Sequence, residues 1–423
     1  MKFQRSWLLL LPILFLHGGL LYLAIINESF WIDDGIQYLT IAKNWIEVGI
    51  YSQSYNAPFV LDVERTPAYP IFLIINNLNP IYVLITQHIL LLFSGYIIYL
   101  IIKELENKIV AKWGAVFFLL QPYPVLFASI LLSETLFIIT FLLAIHCLLI
   151  YYKTDKLFLF ILGIILLVIA TYIKPVGLII VILIPILLIV TKLQTHNNLW
   201  KPLLVAIILP ILLISPWVIR NKEICGQYTF STLGSNSMFY GRLGGMITDK
   251  NQQSWNYQNV FTNADSIANQ SIGISTIHSY YDPQLKSWET STLNSSSQSI
   301  TWKYIWANPL DFIYFSLKAI WKQLSGVGYS TALKISHSEI IAALCATLEA
   351  ICLVIMYLGL LLYLYTIKKI NPFYLVLFII ILLFTALHTT AYAEGRFRLI
   401  CDPLLVLILA SVSKPYLERF SEH

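Results

Sequence analysis

Apolar runs of membrane-spanning length recur along this chain more often than a water-soluble fold could bury them. A spanning helix needs about 20 mostly apolar residues. Ten stretches read as candidates: Ser6–Ile26, Ile81–Ile102, Ile109–Phe127, Glu134–Tyr152, Leu157–Tyr172, Val176–Thr191, Pro202–Ile219, Ile340–Ile367, Pro372–Tyr392 and Leu399–Val412. The 423 residues are 58% hydrophobic and only 12% charged, whereas soluble domains carry about 25% charged residues. A soluble globular enzyme is therefore excluded, and so is disorder, which needs low hydrophobicity and high net charge. The expectation is an all-α polytopic membrane protein with about ten transmembrane helices. The first run opens on a basic stretch but has no small-x-small cleavage site after it, so it reads as an uncleaved span.

Lys and Arg favour cytoplasmic loops. With a cytoplasmic N-terminus, one set of short loops carries Lys2, Arg5, Lys103, Lys108, Lys112, Lys153, Lys156, Lys192, Lys201, Lys368, Lys369, Lys414 and Arg419. The opposite short connections hold only Lys43, Arg65, Lys174, Arg396 and Arg398. This asymmetry predicts both termini inside. Residues 1–219 then form a transmembrane module with a first outer loop at 27–80. Residues 220–339 form an outer-face insertion between spans seven and eight, and 340–423 supply the C-terminal spans. The polar middle of the insertion predicts no large independent core. Its end, with Trp302, Trp306, Trp321, Lys318 and Lys322, predicts an interfacial helix near 302–325.

The outer face collects the informative charges. Asp33 and Asp34 precede Tyr38, and Leu39, Ala42, Trp45 and Ile46 follow at helical spacing. That pattern predicts an amphipathic juxtamembrane helix with two acids at its N-terminus, where Asp also serves as a cap. Glu64-Arg65-Thr66-Pro67-Ala68-Tyr69-Pro70 closes the loop. Arg65 is either a snorkelling anchor or a planar fork for a phosphate. Ser133-Glu134, Lys174-Pro175, Pro216-Trp217-Val218-Ile219-Arg220-Asn221 and Glu394-Gly395-Arg396-Phe397-Arg398 sit at the same membrane face. Ser133 and Glu134 could simply cap a helix. Together these groups place acids and bases where an anionic lipid headgroup would bind. Glu349 lies inside a span without a nameable partner, and His17 and His146 read as packed polar residues. Cys147, Cys225, Cys345, Cys352 and Cys401 show neither a disulfide framework nor metal-ligand spacing. The net charge of +5 is no nucleic-acid signature, and no Gly-rich phosphate loop is present.

In order along the chain, Asp33-Asp34-x-x-x-Tyr38, Arg65-Thr-Pro-x-Tyr-Pro70, Ser133-Glu134-Thr-Leu-Phe137, Pro216-Trp-x-x-Arg-Asn221 and Glu394-Gly-Arg-Phe-Arg398 resemble the motifs of the GT-C membrane glycosyltransferases. The nearest branch is similar to the bacterial dolichyl-phosphate-mannose protein mannosyltransferases and lipid A aminoarabinose transferases. The resemblance covers the first two hundred residues and the last thirty; Lys222–Glu339 resembles nothing nameable. It implies an inverting transferase in the bacterial inner membrane, facing the periplasm or exterior, with a polyprenyl-phosphate sugar as donor. Asp34 takes the place of the family's catalytic base. Gly35 stands where the family commonly has Glu, which leaves Asp33 a possible share of the work. Arg65 falls at the family's donor-phosphate contact, with Arg396, Lys174 and Arg220 as further phosphate ligands. Tyr38, Tyr69, Glu134 and Glu394 are supporting residues. No metal or other cofactor is expected, although Asp33, Asp34 and Glu134 could in principle hold Mg²⁺ or Mn²⁺. Neither sugar nor acceptor is legible. Two other classes stay open: a polymerase or ligase of lipid-linked oligosaccharides, centred on a late outer loop, and a transporter, with midplane polar groups and repeated halves.

Overall fold

The computed structural model describes residues 9–192, 199–272, 289–366, 371–392 and 394–421. Lys2, Arg5, Lys368 and Lys369, with the run ends Ser6 and Ile367, lie outside the described residues. Those described are helical, with no strand among them.

The first half comprises α1 (Leu10–Ile26), α2 (Asp33–Glu47), α3 (Ala68–Ile75), α4 (Pro80–Leu105), α5 (Lys108–Leu119), α6 (Pro122–Ala128), α7 (Glu134–Thr154), α8 (Leu157–Ile173), α9 (Gly177–Lys192) and α10 (Trp200–Cys225). The insertion follows as α11 (Leu233–Asn236), a π-helix at Ser237–Gly244, α12 (Gly245–Lys250), α13 (Tyr257–Ile272), α14 (Glu289–Ala307), α15 (Pro309–Ser325) and α16 (Tyr329–Ser336). The chain closes with α17 (Glu339–Thr366), α18 (Pro372–Leu387), α19 (Gly395–Arg398) and α20 (Asp402–Ser421).

Local chemistry sets several of these ends. Asn79 caps α4 by accepting from the Ile81 amide at 2.9 Å, with Pro80 following at the first helical position. Asn107 does the same for α5, accepting from Ile109 at 3.0 Å and Val110 at 2.9 Å. Pro122 and Pro124 cannot continue a helix interior. The run expected as one straight span over Ile109–Phe127 is accordingly bent by 55° between α5 and α6.

Nine of the ten apolar runs each overlap one helix, and the tenth, Ile109–Phe127, is divided between α5 and α6. Among the described residues, four helices are long and apolar enough to cross a membrane, namely α4, α7, α10 and α17, or five if α5 and α6 count as one broken span. Helices α1, α8, α9 and α18 are apolar but shorter, at 10–17 residues. The chain is thus built as a multi-pass membrane protein. α7 lies at the centre, packed on α4 and α8, and buries both polar ends of its first turn, Glu134 and Thr135. α10 and α17 turn Leu203, Ile207, Ile211, Leu344, Ile351 and Leu358 outward. Those positions suit acyl chains rather than water.

The insertion holds two small clusters. One joins Phe239, Tyr240, Leu243 and Phe261; the other joins Met246, Val260, Ile305 and Phe315. The amphipathic stretch expected near 302–325 is broken at Asn308–Pro309 into the end of α14 and α15. Its Trp302, Trp306, Leu310, Tyr314, Leu317 and Trp321 are exposed.

Candidate active site

The acidic pair begins α2 but does not cap it. Ile32 holds the extended cap position, and no side chain bonds to the helix end. Both acids lie in the first turn, where they complement the dipole. Asp33 points to solvent, whereas Asp34 faces inward. Gly35 explains the departure from the family pattern: a Cβ there would lie 2.6 Å from the Leu131 carbonyl oxygen. No Glu fits at that position.

Asp34 is held from two sides. Arg65 Nη2 donates to its Oδ1 at 2.6 Å, and Arg396 Nη1 donates to its Oδ2 at 3.0 Å. The acid's side chain is 25% exposed. Burial alone would raise its pKa, but the two guanidiniums outweigh that and hold the carboxyl well below the usual carboxylate range. Arg65 is itself fixed. Its Nε and Nη2 donate to Gln37 Oε1 at 3.1 and 2.6 Å, and it lies 5.1 Å from the centre of the Tyr38 ring. Its backbone amide donates to Asp62 Oδ1 at 2.7 Å, and Tyr51 donates to its carbonyl at 2.9 Å. Arg396 comes from α19, whose Gly395 lies so close to Tyr123 that a Cβ would meet the hydroxyl at 2.3 Å. Arg396 Nε is buried without an acceptor.

A second pair lies beside the first. Lys174 Nζ donates to Glu134 Oε1 at 2.8 Å. Ser133 precedes α7 without a side-chain bond to it, so neither residue caps. Lys174 and Arg396 both lie over the Phe397 ring, at 5.8 and 5.0 Å from its centre. His388 stacks on the same ring at 4.6 Å.

Asp34, Tyr38, Arg65, Glu134, Lys174 and Arg396 line one cavity of about 580 Å³. The other candidates lie elsewhere. Asp33 and Glu394 are exposed and do not line it. Tyr69 is fully buried; it meets Tyr38 edge-on at 4.9 Å and donates to Gln87 Oε1 at 2.9 Å, so it can act only through Tyr38. Arg220 is drawn aside by the 27–80 loop. It donates to the Asp62 carbonyl at 2.5 Å and packs on Tyr51 and Trp217.

Sequence reasoning missed Arg242, Tyr257, His388 and Tyr392, which also line the cavity. Arg242 donates to the Thr389 carbonyl at 3.1 Å and hydroxyl at 2.9 Å. No described carboxylate pairs with it. It sits in the stretch that resembles nothing nameable, so no motif flagged it; a lone Arg in a Gly-rich segment, Tyr240-Gly241-Arg242-Leu243-Gly244, was the one available signal.

The cavity sets two carboxylates, Asp34 and Glu134, against four cations, Arg65, Lys174, Arg242 and Arg396. Apolar side chains such as Val176, Leu178, Ile179 and Phe230 also line it. An anion carrying an apolar tail matches both parts. Among the described residues no three His, Cys, Asp or Glu side chains converge as a metal would need, and the two acids face arginine and lysine instead.

No protein-family model and no curated protein matches the sequence. Solved structures do. The archaeal oligosaccharyltransferase AglB from Archaeoglobus fulgidus, in complex with an inhibitory peptide and a dolichol-phosphate, aligns with 100% of this chain at a TM-score of 0.53 and 13% identity. The Archaeoglobus fulgidus oligosaccharyltransferase in its apo form gives the same TM-score at 14% identity. The fold is GT-C-like. ArnT from Cupriavidus metallidurans bound to undecaprenyl phosphate aligns over 96% of this chain and 78% of its own, at a TM-score of 0.42 and 13% identity. The present chain spans about half, 52%, of the length of the oligosaccharyltransferase structures. The GT-C-like fold brings the 27–80 loop, the start of α7, the α8–α9 turn and the segment before α20 to a single cavity.

Proposed function

We propose that the protein is a membrane glycosyltransferase that moves a sugar from a polyprenyl-phosphate donor to an acceptor hydroxyl at the outer face, with inversion. One observation carries this reading: a carboxylate bridged by two arginines inside a cavity lined by both cations and apolar side chains. The GT-C-like fold supports it, as does the dolichol-phosphate in the AglB complex.

In this assignment the acceptor O–H gives its proton to Asp34 as its oxygen attacks the anomeric carbon. The new C–O bond forms on the face opposite the phosphate. The old C–O bond breaks with its electron pair going to the phosphate oxygen, and polyprenyl phosphate leaves. A positioned base contributes about 10²–10⁴-fold. Arg65, Arg396 and Lys174 supply the counter-charge for the leaving phosphate, a role assigned to them rather than to a divalent ion. Arg220 and Tyr69 are reassigned to holding the first outer loop and Tyr38. We place the protein in a bacterial inner membrane, with about ten spans, the module 1–219, the outer insertion 220–339 and the C-terminal spans 340–423. Sugar and acceptor stay unassigned.

The experiment is lipid-to-acceptor transfer by purified full-length protein, using radiolabelled polyprenyl-phosphate hexoses and pentoses with and without EDTA. Transfer that survives EDTA is expected. Movement of intact lipid across the bilayer without loss of sugar would instead mark a carrier, and transfer only from oligosaccharide-bearing lipids a polymerase or ligase.

A further inference from the structure

The proposed base and the proposed phosphate ligands are already bound to each other. Arg65 Nη2 and Arg396 Nη1 each hold one oxygen of Asp34, and these are two of the cations that an incoming phosphate would need. A carboxylate bonded on both oxygens is a weak proton acceptor, so the arrangement as it stands suits neither donor binding nor base catalysis.

We propose that Asp34 is an internal anion occupying the place of the donor phosphate on Arg65 and Arg396, and that the arriving donor displaces it and thereby frees the base. This inference rests on the donor assignment above. It makes binding ordered, with the donor first, because the acceptor's proton has no free acceptor until the exchange has taken place.

The geometry supports an exchange over simple addition. A phosphate can take the same planar forks that a carboxylate takes. Neither arginine is left buried without a counter-ion at any stage, which would be the costly alternative. Arg396 keeps a spare donor, Nε, buried without an acceptor. Arg242 lines the same cavity with no described carboxylate beside it, so the cavity attracts an anion before the pairs open. During transfer the proton of the acceptor passes to the freed Asp34 as the C–O bond to phosphate breaks. The phosphate then gains negative charge against the two arginines that have just received it, so their hold strengthens as the reaction proceeds.

The test is equilibrium binding of undecaprenyl phosphate to the full-length protein in nanodiscs. Asp34→Asn and Asp34→Ala should each bind at least about tenfold more tightly than wild type, because the competitor is gone. Arg65→Ala and Arg396→Ala should bind more weakly. Equal or weaker binding by both Asp34 variants, while wild type binds, would overturn the exchange and leave the donor assignment standing. No binding by any form would overturn both. A structure of the wild-type complex needs no variant. Phosphate oxygens on Arg65 and Arg396, with Asp34 released, are expected; both ion pairs intact beside a phosphate bound elsewhere would contradict the proposal.

Discussion

Arg396 and Asp34 stand 362 positions apart in the chain and meet at 3.0 Å. The contact closes the C-terminal segment onto the 27–80 loop, so the cavity is complete only when both ends of the chain have folded. Arg65 reaches the other carboxylate oxygen from only 31 positions away. The same acid therefore gauges two different folding events.

Replacing either arginine with Ala should lower kcat/KM for the donor by about 10²–10³, the usual effect of losing one preorganised donor to a developing anion. Arg65→Lys should recover only part of this, since it keeps the charge but loses the fork shared with Gln37. Steady-state donor kinetics check this. Unchanged kinetics in both Ala variants would reduce these residues to interfacial anchors.

Arg398 forms a buried cluster behind the cavity. It donates to Glu349 at 2.6 Å, to Asp402 at 2.9 Å and to the Gly326 carbonyl at 2.8 Å, and all three charged side chains have no exposed surface. Arg398→Leu would leave two buried carboxylates facing each other. A loss on the order of 3–5 kcal/mol is expected, read as failed accumulation or a strongly lowered melting temperature in detergent. Melting within a degree or two of wild type would show that the cluster contributes little.

These pairings mark where the sequence is legible and where it is not. The apolar runs declare the helices because the bilayer leaves the backbone no other way to satisfy itself. Asp34, Arg65, Lys174 and Arg396 announce themselves because charge at a membrane edge is expensive without a partner or solvent. Which cation meets which acid is another matter. Glu349 on α17 finds Arg398, the last residue of α19, where α17 packs on the following α20, and no spacing within any of these helices encodes that. Arg220 reads like Arg65 in sequence yet is taken by the Asp62 carbonyl. Gly35 looked like a missing acid until Leu131 was seen to fill its space. Arg242 matches no motif, and the Gly-rich segment around it does not by itself assign the residue to a site.

Asp265 on α13 offers a pH test of the insertion. It is 5% exposed, and no described cation pairs with it. Burial pushes its carboxyl up from 3.8 to about 7, with the Tyr240 hydroxyl opposing the shift. Below its ordinary pKa the group is protonated whether folded or not. As pH rises toward 7 the unfolded chain gives up the proton first, so stability is progressively lost. At about 1.4 kcal/mol per unit the full effect is at most about 4 kcal/mol. Hydrogen exchange over α13 should therefore be slower in Asp265→Asn than in wild type at pH 8, and similar in the two at pH 4. Equal exchange at pH 8 would contradict the buried-acid account.

Topology can be read by cysteine labelling at exposed positions. Asn56 and Thr262 are exposed in the segments 27–80 and 220–339, and Lys156 is exposed between α7 and α8. Asn56→Cys and Thr262→Cys should label in intact cells, and Lys156→Cys only after permeabilisation. The reverse pattern would invert the orientation drawn from the Lys and Arg asymmetry.

In the proposed reaction Asp34 accepts the acceptor's proton during sugar transfer from a polyprenyl phosphate. Asp34→Asn keeps the size of the side chain and, since Asp34 does not cap α2, leaves the helix start as it is. The decisive measurement is the rate of radiolabelled sugar transfer by Asp34→Asn in membranes, set against wild type at equal folded protein and saturating donor. The account predicts a loss of at least about 10²-fold. Transfer at near wild-type rate, or loss confined to Asp33→Asn, would contradict it.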